Sequence, residues 1–99
     1  MIKILEKIKI GGRIIEVRRG PSSEMGSQWG TYSDWQGIIR IANDSDLHPA
    51  QEAVSFIHEI IEHLDSKFQY KLEHSIIQSL AENFYQIIVD NFMEANNAT

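Results

Sequence analysis

The sequence PAQEAVSFIHEIIEHLDSK, residues 49–67, determines the fold class, because its apolar side chains recur with the period of an amphipathic helix. Pro49 stands at the first position, where a helix tolerates proline best. With about 100° of rotation per residue, one broad face of this segment is apolar, and we expect it to lie in the core. That face contains Ala53, Val54, Ile57, Ile60, Ile61, Leu64 and Phe68.

Before this helix the sequence has the character of β-strands, which we expect within residues of about 2–42. Two β-rich runs flank Gly11 and Gly12, a pattern that predicts a hairpin. The runs QWGTYS and GIIRIA predict a second hairpin across residues 34–36. Alternating apolar positions in the first strand are Ile2, Ile4, Ile8 and Ile10.

A second helix is predicted over residues of about 74–93. Its apolar side contains Ile76, Ile77, Leu80, Phe84, Ile87, Ile88 and Val89. Strands followed by helices are typical of the α+β class. We therefore expect residues 1–99 to form a single domain, in which a small antiparallel sheet of two hairpins precedes two packed helices.

Composition and charge narrow the classes of function. The chain has 99 residues, no cysteine and a net charge of −5. Without thiolates, a metal site must be built from His, Asp or Glu. Seven of the nine basic side chains precede Asp44, but they cluster only at Arg18 and Arg19, so we expect no nucleic-acid binding. No apolar run approaches the ~20 residues of a membrane span, and we expect a cytoplasmic protein without membrane contact.

The stretch FIHEIIEHL, residues 56–64, has the spacing of a metal-binding helix. His58 and Glu62 are four residues apart, so their side chains share one helix face and can bind a single cation. His63 is rotated by roughly 140° from His58, and we predict that it points toward the polar side and binds no metal. Glu59 lies about 100° from His58, where it would serve as a general base.

Catalytic zinc usually has three protein ligands and one open position, so the site needs a third ligand. The second helix offers Glu73, His74 and Glu82. Glu82 falls on the solvated side and Glu73 in the middle of the apolar side, whereas His74 lies at the border, as His58 does. We therefore choose His74. Spacing alone also fits a solvated acidic helix with incidental histidines.

The segments HEIIE (58–62), LEH (72–74) and YQIIVDN (85–91) together resemble a family of small phage and prophage proteins related to zincin metallopeptidases. The run GTYSDWQGIIRI, residues 30–41, is similar to the strand pair that precedes the helix in that family. The resemblance implies a minimal zincin-like fold and a bacterial or archaeal host cell. It also implies one Zn²⁺ held by His58, Glu62 and His74, with glutamate the ordinary residue at position 62.

Two functions are expected from these residues. The first is a zinc-dependent hydrolase, a small metallopeptidase in which Glu59 takes a proton from the attacking water. A peptide or protein substrate would pair with a strand edge near Trp29, Tyr32 and Trp35. The second is a non-catalytic phage accessory protein that binds a host protein. The presence of Glu59 favours the hydrolase, and the short chain favours the accessory protein.

Overall fold

The computed structural model describes residues 4–26 and 28–93 of the chain. Four strands precede two helices: β1 (Lys7–Ile10), β2 (Arg13–Gly20), β3 (Gly30–Ser33), β4 (Ile38–Ala42), α1 (Pro49–Phe68) and α2 (His74–Phe92). A 3₁₀ turn, Ser22–Met25, lies in the connection between β2 and β3. The predicted α+β class, both hairpins and both helices are confirmed, and Ile2 lies outside the described residues.

The sheet is mixed, whereas the sequence predicted an antiparallel one. Its strand order is β1-β2-β4-β3, with antiparallel pairing inside each hairpin. Between the hairpins β2 and β4 run parallel, with Glu16 opposite Ile38. Strand β3 runs opposite to β2 but lies at the outer edge of the sheet, and β4 returns between them. Because β4 runs opposite to β3, it is parallel to β2. Within the described part of the chain, β3 is therefore hydrogen-bonded to a neighbouring strand on one side only.

Helix α1 covers one face of the sheet and completes the core with Phe56. The buried cluster consists of Ile10, Ile15, Val17, Ile39, Ile41 and Phe56. The prediction that Phe68 belongs to the core is wrong, because its side chain is 52% exposed at the end of α1. Since α1 packs against both the sheet and α2, it buries a wider arc than its apolar stripe, and that arc includes polar residues.

Helix α2 packs against α1 and buries only part of its apolar side. Ile77 and Ala81 are buried in this contact. Other residues predicted for the core face are exposed: Ile76, Leu80, Phe84 and Ile87. The difference arises because, among the described elements, α2 packs mainly against α1 and so has a close neighbour along one side only. Neither of these two helices is both long and apolar enough to cross a bilayer.

Candidate metal centre

A groove of about 640 Å³ lies between the edge strand β3 and the two helices. Strand β3 and the residues before it contribute Trp29, Gly30 and Tyr32 to its wall. The helices contribute polar side chains: Ser55, His58, Glu59, Glu62, His74 and Gln78. All four residues that the sequence singled out for chemistry therefore line one groove.

Of the three predicted metal ligands, the two histidines converge on one carboxylate oxygen of the third, Glu62. Glu62 Oε1 lies 3.3 Å from His58 Nε2 and 3.7 Å from His74 Nδ1, and the three donor atoms lie within 4.8 Å of one another. Around a tetrahedral Zn²⁺ with bonds of about 2.0–2.1 Å, ligand atoms stand roughly 3.4 Å apart. The group therefore fits a zinc ion after a small inward movement of His74, whose side chain is 78% exposed.

The turn between the helices brings His74 to the other two ligands. Helix α1 ends where Gln69 adopts a left-handed conformation, and its N–H bonds back to the carbonyl of Asp65. Lys71 also has a positive φ of 60°, which reverses the chain within a few residues. The Asp65 carboxylate accepts a hydrogen bond from the N–H of Leu72 at 2.9 Å. Asp65 thus fixes the connection that starts α2 at His74.

A chain of two hydrogen bonds sets the tautomer and the orientation of the His58 ring. Gln78 Nε2 donates to Glu82 Oε1 at 2.9 Å, because a carboxylate can only accept. This orients Gln78 Oε1 toward His58 Nδ1, 2.8 Å away. Since a carbonyl oxygen is also an acceptor, the proton must be on Nδ1. In neutral His58, therefore, Nε2 presents a lone pair toward Glu62.

A positive charge would stabilise the contact between His58 Nε2 and Glu62 Oε1. Both atoms carry lone pairs when His58 is neutral, and they face each other at 3.3 Å. Such a pair is favourable only with a proton on Nε2 or with a cation bound by both atoms. His74 Nδ1 approaches the same oxygen from α2, so three electron-pair donors surround one point. Zinc is among the metal ions that two histidines and one glutamate can bind.

Glu59 is buried in the same groove beside the three ligands. Burial, and then the charge of Glu62, raises the pKa of its carboxyl group from 4.5 to about 7. On β3, Gly30 leaves just enough room for it, because a Cβ at that position would lie 2.9 Å from Glu59 Oε2. A buried carboxylate that titrates near neutral pH is suited to accept a proton.

His63 lies on a different side of α1 from the one predicted. Its ring is 1% exposed, so the prediction that it points toward the polar side is wrong. The ring stands edge-on against Tyr32, with centroids 5.0 Å apart, and neither nitrogen has a hydrogen-bond partner among the described residues. Strand β3 covers this side of the helix, which helical periodicity alone does not show. His63 is outside the ligand group, as predicted.

Sequence reasoning missed two residues of the site. Gln78 was overlooked, although His74, Gln78 and Glu82 follow one another at intervals of four, which places them on one line of α2. Gly30 gave no signal, because its role depends on how closely β3 approaches α1. His48, outside the site, caps α1 by accepting a hydrogen bond from the N–H of Ala50.

Comparison with known proteins identifies no relative of this chain. No family model matches it, and no curated protein and no solved structure was found to match it. The resemblance to phage and prophage proteins therefore stays a prediction from the sequence. Support for a function comes from the geometry of the groove.

Proposed function

We propose that this protein is a zinc-dependent hydrolase, a small zincin-like metallopeptidase of phage or prophage origin that acts in the cytoplasm of a bacterial or archaeal cell. The observation that carries the proposal is the buried carboxyl group of Glu59, which lies in one groove with three convergent ligand side chains. A buried carboxyl group beside the metal ligands is the group that a hydrolase needs as its general base.

Three residues would hold the ion: His58, Glu62 and His74. When bound, zinc polarises the carbonyl group of the substrate and makes water more acidic. The chain positions these ligands before any ion arrives, because Gln78 holds the His58 ring with Nε2 toward Glu62. A hydrogen bond to the second ring nitrogen of a ligand histidine orients the ring and increases the basicity of the nitrogen that binds the metal.

Glu59 would carry the proton during hydrolysis. Its carboxyl group is buried in the groove beside the three ligands, where it could take a proton from the attacking water and return it to the leaving group. The water oxygen forms a bond to the carbonyl carbon, the C–N bond breaks, and Glu59 delivers the proton to the leaving amine. Because Gly30 has no side chain, β3 can lie close against the Glu59 carboxylate and leave it in the groove.

The edge strand β3 is the proposed binding surface for a peptide. Because β3 pairs only with β4 among the described strands, an extended segment could add to its free edge by backbone hydrogen bonds. Trp29 and Tyr32 line the groove beside that edge. Trp35, which the sequence placed with them, lies on the turn between β3 and β4, is 84% exposed, and is outside the groove.

The alternative is a non-catalytic accessory protein that binds a host protein. Its support is the exposure of two tryptophans, Trp29 at 53% and Trp35 at 84%, since tryptophan is enriched among the residues that dominate protein interfaces. In that case the zincin-like fold would bind the host protein with or without a metal ion in the groove, no hydrolysis would occur, and Glu59 would be dispensable for binding.

Hydrolysis of a peptide mixture by the zinc-loaded protein tests the proposal. Mass spectrometry should find new termini with the wild type and none with Glu59→Gln, which should still bind zinc. Glu52→Gln is a matched control on the same helix, because Glu52 pairs with Arg19 outside the groove. If zinc-loaded wild type cleaves nothing, or if Glu59→Gln cleaves equally well, the hydrolase proposal is wrong.

A further inference from the structure

The groove beside β3 has two chemically different parts. Gly30 lies against the Glu59 carboxylate and Tyr32 lies against the His63 ring, so β3 runs beside α1 in the same direction. The candidate metal ligands and Glu59 line the part toward the C-terminus of α1. The other part lies toward the N-terminus of α1, and we call it the neutral end. Its lining residues are Gln28, Trp29, Gln51 and Ser55.

The neutral end combines an apolar wall with a polar floor. Among the described residues that line it, none carries a charge. Trp29 forms the wall and is 53% exposed, whereas Ser55 is buried at the floor. Ser55 Oγ accepts a hydrogen bond from Gln51 Nε2 at 3.4 Å. This bond leaves the hydroxyl proton of Ser55 available as a donor and Gln51 Oε1 available as an acceptor.

The backbone of β3 presents hydrogen-bonding groups at its free edge beside Glu59. The N–H of Ala42 donates to the carbonyl of Trp29 at 2.9 Å, so these two residues form a hydrogen-bonded pair that extends the β3–β4 ladder. Such pairs alternate along an antiparallel ladder, and Gly30 and Tyr32 therefore direct their N–H and C=O groups away from β4. An extended peptide would bond to these two residues.

An antiparallel peptide would place the residue that follows the cleaved bond at the neutral end. Antiparallel strand pairs outnumber parallel pairs about two- to threefold and are slightly more stable. Because β3 runs away from the neutral end, the C-terminal part of an antiparallel peptide lies beside Trp29. From Glu59 to Ser55 is about 6 Å along the helix axis, less than two residues of an extended peptide. The first side chain after the cleaved bond therefore lies near Ser55.

We propose that the neutral end is the specificity pocket of the hydrolase, an inference that rests on the proposed function. It selects an uncharged side chain with a hydroxyl or primary amide tip, tyrosine or glutamine, directly after the cleaved bond. The body of that side chain packs on Trp29, while its tip accepts from Ser55 and donates to Gln51. A charged side chain would lose its water there without gaining an opposite charge.

Cleavage of a proteome-derived peptide mixture by the zinc-loaded full chain tests the pocket. Mass spectrometry identifies each new N-terminal residue. Tyrosine and glutamine should be enriched there by about fivefold, the factor that one net hydrogen bond of about 1 kcal/mol provides, and the four charged residue types should be depleted. Cleavage without this preference, or with the preference at the residue before the bond, would overturn the pocket and leave the hydrolase standing. A complete lack of cleavage would overturn both.

Substitutions in the neutral end give a sharper test. Gln51→Glu places an anion in the pocket, so cleavage before lysine and arginine should increase at least about tenfold relative to cleavage before glutamine. Gln36→Glu makes the same change at an exposed position in the turn between β3 and β4, and should retain the wild-type preference. Circular dichroism checks that each variant retains its helices. An unchanged preference in Gln51→Glu would contradict the pocket.

Ser55→Ala tests the hydrogen bond to the tip of the substrate side chain. For peptides with tyrosine after the cleaved bond, kcat/KM should decrease by about fivefold. For matched peptides with phenylalanine at that position it should not change, because phenylalanine has no hydroxyl group to accept the bond. An equal decrease for both peptides would show that Ser55 acts through the structure of the groove and would overturn its role in selection.

Discussion

Nδ1 of His58 lies 2.8 Å from Oε1 of Gln78, and this contact directs Nε2 of the same ring toward Glu62. The relationship links the two helices at the site, because His58 belongs to α1 and Gln78 to α2. It also joins the candidate metal ligands to Glu82, which fixes the orientation of the Gln78 amide. The alignment of His58 with the other ligands therefore depends on one amide side chain.

Replacing Gln78 should weaken zinc binding without removing a ligand. In Gln78→Ala, the His58 ring loses the acceptor that holds its tautomer and orientation. Removing such a contact typically costs about 10–100-fold in metal affinity, which a competition titration with a chromogenic chelator can measure. Gln86→Ala is the control, since Gln86 bonds to Asp90 on the same helix. Equal affinity in Gln78→Ala and wild type would show that the contact does not orient the ligand.

Glu59 should destabilise the metal-free protein at alkaline pH. Its pKa is about 7 in the folded protein against 4.5 as the ordinary value. The contribution of protonated Glu59 to stability is therefore complete below pH 4.5 and is lost as the pH rises through 7, where the loss amounts to about 3 kcal/mol. Glu59→Gln should therefore unfold at higher urea concentration than wild type at pH 8.5, and at nearly the same concentration at pH 4. These measurements are made with a chelator present, so that the protein stays free of metal. A difference that does not change with pH would contradict the raised pKa of Glu59.

His63 should make the protein sensitive to acid. Burial lowers the pKa of its ring below the ordinary 6.5, so the folded state disfavours the protonated form. The contribution of neutral His63 to stability is therefore complete above pH 6.5 and decreases as the pH falls below that value. His63→Leu keeps the volume and removes two buried nitrogens without partners among the described residues, so its thermal midpoint should exceed that of wild type at pH 5 by more than at pH 8. Parallel pH profiles for the two proteins would contradict the role of His63.

Gly30 should be required for hydrolysis and not for metal binding. In Gly30→Ala the added Cβ would stand 2.9 Å from Glu59 Oε2, so the carboxylate must move. A displacement of about 1 Å of a catalytic group can reduce the rate roughly 100-fold, and we expect a decrease of at least about tenfold in kcat/KM. Thr31→Ala, one residue further along β3, is the control. Full activity in Gly30→Ala would argue against Glu59 as the base.

Much of the fold follows from periodicity. The change to a 3.6-residue period at Pro49 predicts α1, and the glycines at positions 11 and 12 predict the first hairpin, both as found. Strand order does not follow from such patterns, because alternation gives the face of a strand and not its neighbour. The parallel pairing of β2 with β4 therefore came only from the structure.

In the candidate site, too, the spacing of residues predicts some features, whereas others depend on how the strands and helices pack. Spacing by four along α1 identified His58 and Glu62, and the border position on α2 identified His74, and the structure brings all three together. The burial of His63 could not be deduced, because it depends on how β3 lies over α1. The contact between Gly30 and Glu59 depends on the same packing.

Zinc binding by variants of the four histidines is the decisive measurement for the metal centre. The full chain, freed of metal and then equilibrated with zinc, is analysed for bound metal by mass spectrometry of the native protein. The variants are His58→Ala, His74→Ala, His63→Leu and His48→Asn. The last two retain the volume of a buried ring and the cap of α1, respectively.

We predict one zinc ion per chain in the wild type, in His63→Leu and in His48→Asn, and none in His58→Ala or His74→Ala. This outcome would place the ion on the two histidines that converge on Glu62. A wild type that binds no zinc, or a His58→Ala or His74→Ala variant that binds it as the wild type does, would contradict the proposed zinc centre.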